Sequence, residues 1–349
     1  DCNFDTTKAT GRSGIAIVPN TKATVNLKNT TIKTKDMFAI RSNEQDINWN
    51  NADTKLTSLD KTYQDYPVEY YLAKIGDVFY TLKQAADVAN AATKDTEIKL
   101  VANYTISSRT FNNTNGKKIT LNGNDKTLTT SGGSNALLVG NKVAIKDLTI
   151  NHKNTGSAIQ VVDIGTIDVT DVTINATEGK NYDYALVNLI LDAKGAADKA
   201  AAGEVTTLNM TDVDVTMAVS GRGVGNTAVV RTGNETKKTV NINLTNCNFD
   251  TTKATGRSGL IIMSKTNATV VLTDTNIKTL DVPAVHLKDS SNHQTMTVNG
   301  GKLDSVSTEY QKQPIKGYDA MIGNVAHRAF TQAARSVGEG ETIKLLQDV

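Results

Sequence analysis

Residues 167–174 read IDVTDVTI, and this short pattern decides the fold that the sequence predicts. Apolar and polar residues alternate, two turn-forming residues follow, and the alternation then resumes. Alternation with a period of two marks a β-strand with one buried face, and Asn, Asp and Gly turn a backbone at little cost. Each copy therefore predicts a strand, a tight bend and a second strand. The other copies are VNLKNTTI (25–32), ITLNGNDKTL (119–128), AIKDLTI (144–150), LNMTDVDV (208–215), INLTNCNF (242–249), VVLTDTNI (270–277) and MTVNGGKL (296–303).

A second element alternates with the first one: a small residue followed by an apolar run, as in SAIQVVD (157–163). A small side chain that recurs once per turn predicts one crowded interior column. Parallel strands normally need a helical crossover, and most intervals between these runs are too short to hold one. Such strands can still pair if each partner is the equivalent strand one coil along the chain. The aligned small residues are Ala136, Ala158, Ala185, Ala228, Gly259 and Ala284.

Together the two ladders predict an all-β fold, a right-handed parallel β-helix built as tandem units. Antiparallel β-sandwich repeats are the alternative, because short strands with regular turn signals are also typical of sandwiches. The alternation of two distinct ladders favours the solenoid.

A far longer repeat is superimposed on this pattern. The string CNFDTTKATGRSG occupies residues 2–14 and again residues 247–259. TYQDYPVEYYLAKIG (62–76) resembles EYQKQPIKGYDAMIG (309–323) in the same way. We therefore predict tandem units and expect the chain to be a window on a longer array. The predicted divisions are the C-terminal part of a first repeat (1–72), a complete repeat (73–319) and the N-terminal part of a third repeat (320–349).

One run breaks the strand pattern. In LKQAADVANAA (82–92) the apolar residues recur at helical spacing, and the run is rich in alanine. FTQAARSVG (330–338) repeats it in the next copy. We expect a helix that covers the open N-terminal end of each unit, which would make the units separate beads. Residues 193–204 are expected to form a loop or short helix inserted between coils.

The charge pattern argues against binding of nucleic acid, and the length of the apolar runs argues against a membrane span. The chain has 38 basic and 36 acidic residues, and the two signs are interspersed. It therefore lacks the basic stripe of a nucleic-acid-binding surface. The longest apolar runs, such as ALVNLIL (185–191), are too short to cross a bilayer, so no membrane span is expected in this segment.

The order of motifs resembles a known family. It runs from IGDVFYTLKQAADVANAATKDTEIKLVANYTI (75–106) through KKITLNGNDKTLT (117–129) to VAIKDLTI (143–150). This order is similar to the pectate-lyase-like β-helix repeats of bacterial secreted and cell-surface proteins. The resemblance implies a β-helix, an extracellular setting and adhesive or structural work. Enzymatic members of this fold cleave acidic polysaccharides with clustered Asp ligands for calcium and a basic residue.

Recurrent aspartates are the first candidates for such chemistry. Asp147, Asp171, Asp212 and Asp274 each lie at the predicted bend of a coil. A stacked row of carboxylates could bind cations. Other coils place Gly123, Asn246 or Gly300 at the same position, which favours a turn-forming role. We therefore predict no catalytic, cofactor-binding or metal-binding residues and no cofactor.

The cysteines, the histidines and the arginines of Gly-containing loops are the next candidates. Cys2 and Cys247 occupy the same position in successive copies, so they are predicted to be buried and inert, with pairing between chains as the alternative. The histidines lack metal-ligand spacing and are expected on the surface or in loops, and the arginines of Gly-containing loops are expected at flexible tips. These residues are His152, His286, His293, His327, Arg12, Arg222 and Arg257.

Aromatic residues crowd one stretch of the chain. They would suit stacking on sugar rings, but two of them recur as Tyr310 and Tyr318 at the next junction between copies. Packing of one unit on the next is therefore favoured. The residues are Tyr63, Tyr66, Tyr70, Tyr71, Phe79 and Tyr80.

The functional expectation is a non-enzymatic structural or adhesive repeat protein that forms an extracellular stalk, fibre or filament. Self-association or repeat-to-repeat packing is the expected partnership, with a glycan or a host or cell surface as a further partner. The alternatives are a polysaccharide lyase or hydrolase of the β-helix fold and a phage fibre.

Overall fold

A computed structural model describes residues 1–18, 23–42, 46–49, 53–132, 135–153, 155–177, 185–189, 205–220, 227–233, 239–263, 266–288 and 294–346. Strands make up 54% of it and helices 9%, which confirms the all-β class. The predicted insertion at residues 193–204 lies outside the described residues.

Short strands and a few short helices follow one another along the chain. In chain order they are β1 (Cys2–Asp5), β2 (Ile15–Ala16), β3 (Thr24–Asn26), β4 (Thr30–Thr34), β5 (Ile40–Arg41), β6 (Asp46–Asn48), β7 (Lys55–Ser58), α1 (Lys61–Gln64), β8 (Ala73–Ile75), β9 (Val78–Tyr80), α2 (Leu82–Ala91), β10 (Thr96–Leu100), β11 (Tyr104–Ile106), β12 (Arg109–Phe111), β13 (Ile119–Thr130), β14 (Leu137–Val139), β15 (Val143–His152), β16 (Ile159–Val161), β17 (Thr166–Ala176), β18 (Ala185–Leu189), β19 (Val205–Met217), β20 (Thr227–Thr232), β21 (Thr239–Thr245), β22 (Asn248–Thr251), β23 (Arg257–Ile262), β24 (Asn267–Thr279), β25 (Val285–Leu287), β26 (Gln294–Ser305), α3 (Thr308–Lys312), β27 (Ile315–Lys316), β28 (Ala320–Ile322), β29 (Val325–His327), α4 (Phe330–Ser336) and β30 (Ile343–Leu345).

The larger sheet has 15 strands, and its middle is a run of parallel pairs from β10 through β13, β15, β17, β19, β21 and β24 to β26. Equivalent apolar residues face one another along it: Ile167 pairs with both Val143 and Leu208, and Val270 pairs with both Ile242 and Met296. These pairs join runs that the sequence aligned as one ladder. The antiparallel pairing of the sandwich alternative is not what links them.

Each bend in this sheet is made by a residue with left-handed backbone. Asp147, Asp171, Asp212, Asn246 and Asp274 have φ between 47° and 54°. Most residues with a Cβ pay about 1–2 kcal/mol for this conformation, and Asn and Asp tolerate it best. The turn-forming role predicted for these side chains is therefore confirmed.

The bend of β13 corrects one detail of that prediction. The left-handed residues there are Asn124 and Asp125, with φ of 50° and 59°, and Gly123 precedes them. Gly123 is needed for a different reason, because a Cβ at this position would lie 2.3 Å from the carbonyl oxygen of Asp147. The glycine thus allows neighbouring strands to approach closely.

The smaller sheet contains eight strands, in the order β12, β14, β16, β18, β20, β23, β25, β27, and all its pairs are parallel. The small-residue column predicted along it is wrong at two steps. Ala158 stands beside Leu186 instead of Ala185, because Ile159 pairs with Val187.

The second error has the same form, because Ala228 pairs with Ser258 instead of Gly259. A slip of one residue moves a side chain to the other face of a sheet, and Ala228 indeed packs with Ile261 and Met263 in a cluster separate from the main core. Strands β18, β20 and β23 are buried along their whole length. They therefore lack the polar alternation that would have fixed their register in the sequence.

Antiparallel hairpins make the larger sheet mixed. Strand β8 pairs with β9 and with β10, and β28 pairs with β29 and with β30. Strand β29 also pairs with β26, so hydrogen bonding crosses from the predicted complete repeat into the next one. The divisions 1–72, 73–319 and 320–349 remain predictions.

Helix α2 confirms the predicted helix at 82–92. The Thr81 side chain accepts a hydrogen bond from the backbone N–H of Gln84, whose side chain in turn accepts one from the Thr81 N–H. Leu82, Ala85, Ala86 and Ala89 are buried and belong to the main core, so the helix packs on the first strands of that core. Helix α4 repeats α2 in a shorter form without a side-chain cap.

The two largest groups of buried apolar residues form separate hydrophobic cores. The main core extends from Ala73 to Leu346, and a smaller core joins Ile32, Ile40 and Val68 to Tyr71 and Phe79. Within the described residues, no helix is long and apolar enough to span a bilayer.

Candidate functional sites at the corners and junctions of the repeat

The aspartates at the bends do not converge on one point. Each lies on its own strand, and Asn246 donates a side-chain hydrogen bond to Asp212 while Lys146 lies 3.7 Å from the Asp147 carboxylate. Among the described residues, no group of three or more His, Cys, Asp or Glu side chains is placed to hold a metal ion.

The duplicated string forms the same corner twice, and we call residues 2–14 the first corner and residues 247–259 the second corner. In the first corner the Thr6 hydroxyl donates to the Arg12 carbonyl at 2.9 Å. In the second corner the Thr251 hydroxyl donates to the Arg257 carbonyl at 2.7 Å. The string therefore encodes its own local geometry.

Each corner is held by a carboxylate from the bend that follows its neighbouring strand, β4 or β24. The backbone N–H of Gly11 donates to Asp36 Oδ1, and that of Gly256 donates to Asp281 Oδ1, in each case at 2.7 Å. Both glycines have a φ of 67°. Asp5 makes a further bond in the first corner, accepting from the N–H and the hydroxyl of Thr7, and these bonds hold its pKa below the ordinary value.

The two corners differ in burial. Phe4 is 36% exposed, whereas Phe249 in the second corner is fully buried. The reason is the number of neighbours: β1 pairs with β4, while β22 is paired with both β19 and β24. An additional strand on one side thus turns a surface corner into a core corner.

The cysteine prediction is confirmed for one copy and wrong for the other. Cys247 is buried, and burial raises its pKa to about 11. Cys2 is exposed, because the described residues place no strand on the side of β1 that would correspond to β19. Pairing of Cys2 between chains therefore remains open.

The arginine prediction is also wrong for the second corner. Arg12 is exposed, but Arg257 is fully buried in β23 and donates from Nε to the Val219 carbonyl at 3.1 Å and from Nη2 to the Ser220 carbonyl at 3.0 Å. An arginine reaching into the interior binds backbone carbonyls that the sequence did not place near it. Arg222 lies outside the described residues.

The histidines correct another expectation. His152 is a buried strand residue, and its ring nitrogens lie 2.9 Å from the Thr130 hydroxyl and 2.8 Å from the Gly156 carbonyl oxygen. Burial lowers the pKa of His152 to about 4. His286 and His327 are partly buried on β25 and β29, and His293 lies outside the described residues.

The aromatic residues divide into two groups. Tyr63 and Tyr66 pack on Phe38, with ring centroids 4.7 and 5.7 Å from it. Tyr71 lies 5.3 Å from Trp49, which stacks on Phe79 at 5.6 Å. The second group links Trp49 and Tyr71 to the hairpin β8–β9 through Phe79, and packing of one unit on the next stays a prediction.

Equivalent tyrosines lie at the two junctions between copies, the first junction near Tyr71 and the second near Tyr318. Tyr71 accepts a hydrogen bond from the Ile47 N–H at 2.7 Å, and Tyr318 donates one to the Gln294 carbonyl. Burial raises the pKa of Tyr318 to about 12. Sequence reasoning missed Trp49, although it follows Ile47 at a spacing of two, which is the strand signal used elsewhere.

Each junction also carries a surface cavity. The cavity at the first junction has a volume of about 350 Å³ and is aromatic, with Trp49, Phe79 and Tyr80 beside Gln84 and Asp87. The cavity at the second junction is larger, about 530 Å³, and is lined by polar and charged side chains. The two cavities do not occupy equivalent positions, because the first lies beside Tyr71 and the hairpin β8–β9 and the second lies beside β25 and β27.

Comparison with protein-family models, with curated proteins and with solved structures finds no match to this chain.

Proposed function

We propose that the chain forms right-handed parallel β-helix units in tandem and belongs to a non-enzymatic, extracellular structural or adhesive repeat protein. The observation that carries the proposal is the reuse of one corner in two places with the same internal hydrogen bonds. A scaffold that is copied in this way extends an array by one unit at a time.

Three properties support the solenoid part of the proposal. The central strands of the larger sheet and all pairs of the smaller sheet are parallel. From β13 to β26, no helix is described between one strand of a sheet and the next strand that pairs with it. Left-handed residues recur at the same bend. The main core lies along both sheets from one end to the other. A coil that stacks on the next at about 4.8 Å would produce all three.

Extension of the larger sheet across the second junction supports the structural role. Strand β29 continues the sheet from β26, and β28 carries it on to β30. Such pairing transmits rigidity from one unit to the next, which suits a stalk, fibre or filament. The resemblance to secreted and cell-surface β-helix repeats supports the extracellular setting.

Small-angle X-ray scattering and electron microscopy of the chain test this proposal. An elongated rod whose cross-section stays constant along its length is expected. Analytical ultracentrifugation over a range of concentrations measures self-association of the same sample. A compact, near-spherical particle would contradict the proposal.

A glycan panel separates the proposal from the lyase alternative. The structural role predicts that no acidic polysaccharide is degraded, with or without calcium. Degradation that stops when calcium is chelated would establish the enzyme instead. The chelated sample serves as the control for the sample with calcium.

A further inference from the structure

The cavity at the second junction, which we call the basic pocket, contains more positive than negative charge. Its lining includes Lys288, Lys316 and Arg328, all half-buried, with Asp319 as the carboxylate among them. His286 completes the group and pairs with Lys316 in adjacent strands. Among the described residues, three cationic side chains and one carboxylate therefore line a partly desolvated site.

Burial and neighbouring positive charges shift the pKa values of two side chains in the pocket. Burial, together with the charges of Lys316 and Lys288, lowers the pKa of His286 to about 4. Burial and the charge of Arg231 also lower the pKa of Lys288. Cations that destabilise one another in this way are stabilised by a bound anion.

At the equivalent position of the first repeat, a positive and a negative side chain form an ion pair. There Arg41 stands where His286 stands, and Glu69 stands where Lys316 stands, with 3.9 Å between Arg41 Nε and Glu69 Oε1. The second repeat keeps the backbone arrangement and replaces this ion pair with two basic residues. The excess charge is thus specific to the basic pocket and is not a property of the scaffold.

The second junction differs from the first in two further ways, which concern Arg328 and the His286 ring. The turn between β29 and α4 is one residue longer than the turn between β9 and α2, and it contains Arg328. The Nδ1 atom of His286 is buried and has no hydrogen-bond partner among the described residues. A guanidinium group and an imidazole nitrogen are both suited to an oxygen of an anion.

We propose that the basic pocket binds an oxyanion, a sulfate or phosphate group that is either free or carried by a small sugar. Lys288, Lys316 and Arg328 supply the charge, and the His286 ring forms part of the wall of the pocket. A volume of about 530 Å³ exceeds the size of the bare ion and accommodates an attached ring. Anion binding in this pocket does not depend on the proposed structural role.

Titration by NMR tests the proposal, with the His286 ring and the Lys316 backbone amide as reporters. Inorganic sulfate, inorganic phosphate, N-acetylglucosamine 6-sulfate and uncharged N-acetylglucosamine are added at constant ionic strength set with sodium chloride. Saturable shifts confined to the basic pocket are expected for the three anions. Tighter binding of the sulfated sugar than of sulfate would assign the group to a sugar, and equal binding would assign the free ion.

Two variants with a matched control complete the test. Lys316→Glu places the carboxylate of the first repeat at this position, and Lys316→Gln removes the charge alone. Both are expected to weaken anion binding at least about tenfold, whereas Lys253→Glu, at an exposed position of the second corner, leaves it unchanged. Shifts that do not saturate, or that persist in both Lys316 variants, would overturn the proposal.

Discussion

The first and second corners have the same 13 residues and the same internal hydrogen bonds, yet one is a surface feature and the other part of a core. The difference comes from what packs on them: β19 covers the second corner, and β1 has no equivalent neighbour among the described residues. Local sequence therefore determines the shape of a corner, and its neighbours determine how much each side chain contributes to stability. Matched substitutions in the two corners separate these contributions.

The largest difference is expected at the aromatic residue. Phe249→Ala removes a fully buried ring between two strands, and it should lower the free energy of unfolding by about 3–5 kcal/mol. Phe4→Ala removes a ring that is 36% exposed, and a loss below about 1 kcal/mol is expected. Urea denaturation of both variants measures the two losses.

Equal losses for the two phenylalanines would contradict the comparison. Because repeat proteins can unfold in parts, hydrogen exchange of the amides in β22 and β24 provides a second measurement. Faster exchange in these strands is expected for Phe249→Ala and not for Phe4→Ala.

The arginines should show the next largest difference. Arg257→Ala leaves the carbonyls of Val219 and Ser220 without their guanidinium donors in a buried site, at a cost of about 2–4 kcal/mol. Arg12→Ala changes an exposed side chain, and an effect within about 0.5 kcal/mol is expected. Thermal denaturation with matched samples compares the two. A cost at Arg12 as large as that at Arg257 would show that the exposed copy is covered in solution.

These two residue pairs show why the sequence predicted the elements better than the environments. The strands, the bends at residues such as Asp171 and the helix at 82–92 depend on local patterns, which can be read directly from neighbouring residues. Burial of Arg257 depends on residues 219 and 220, which lie 38 and 37 residues away in the chain and come near only through long-range folding. No spacing in the sequence carries that information.

Register in the smaller sheet was mispredicted for a related physical reason. Where one face of a strand is exposed to solvent, the alternation of polar and apolar residues shows which side chains face the core. Strand β20 is buried on both faces, so TAVVRT allowed either register, and the structure packs Ala228 in a buried cluster separate from the main core. The basic pocket was equally hidden, because Lys316 and Arg328 come together with His286 only through the junction hairpin and the strand pairing.

The two cysteines should differ in the rate at which their thiols react, because Cys2 is exposed and Cys247 is buried. Thiolate is the reactive form, and with a pKa raised by burial to about 11 roughly one molecule in a thousand carries a Cys247 thiolate at pH 8. Cys2 is exposed, so a disulfide reagent should modify one thiol rapidly and the second only after unfolding. Variants Cys2→Ala and Cys247→Ala assign each phase. Rapid modification of Cys247 in the folded Cys2→Ala protein would contradict its burial.

The same pKa predicts a pH dependence of stability. The folded pKa of Cys247 is raised, so above the ordinary value near 9 the unfolded chain releases its proton while the folded chain keeps it. The contribution is therefore complete below pH 9 and is lost between about pH 9 and 11, at up to about 1.4 kcal/mol per pH unit. Denaturation of Cys2→Ala should show this loss. The double variant with Cys247→Ala should lack it.

The smallest difference is expected where both corners are held by the same bond. Asp36→Ala removes the acceptor of the Gly11 N–H, and Asp281→Ala removes the acceptor of the Gly256 N–H, each from a bond of 2.7 Å. A cost of about 1–1.5 kcal/mol is expected in each case, because the lost bond has a charged acceptor at a solvent-accessible site. Asp36→Asn and Asp281→Asn keep an acceptor oxygen and should cost less. Amide exchange of Gly11 and Gly256 measures the local effect, which should match between corners within about 0.5 kcal/mol. A much larger cost at Asp281 would mean that burial strengthens this bond as well, and the shape of the corner could then no longer be separated from its surroundings.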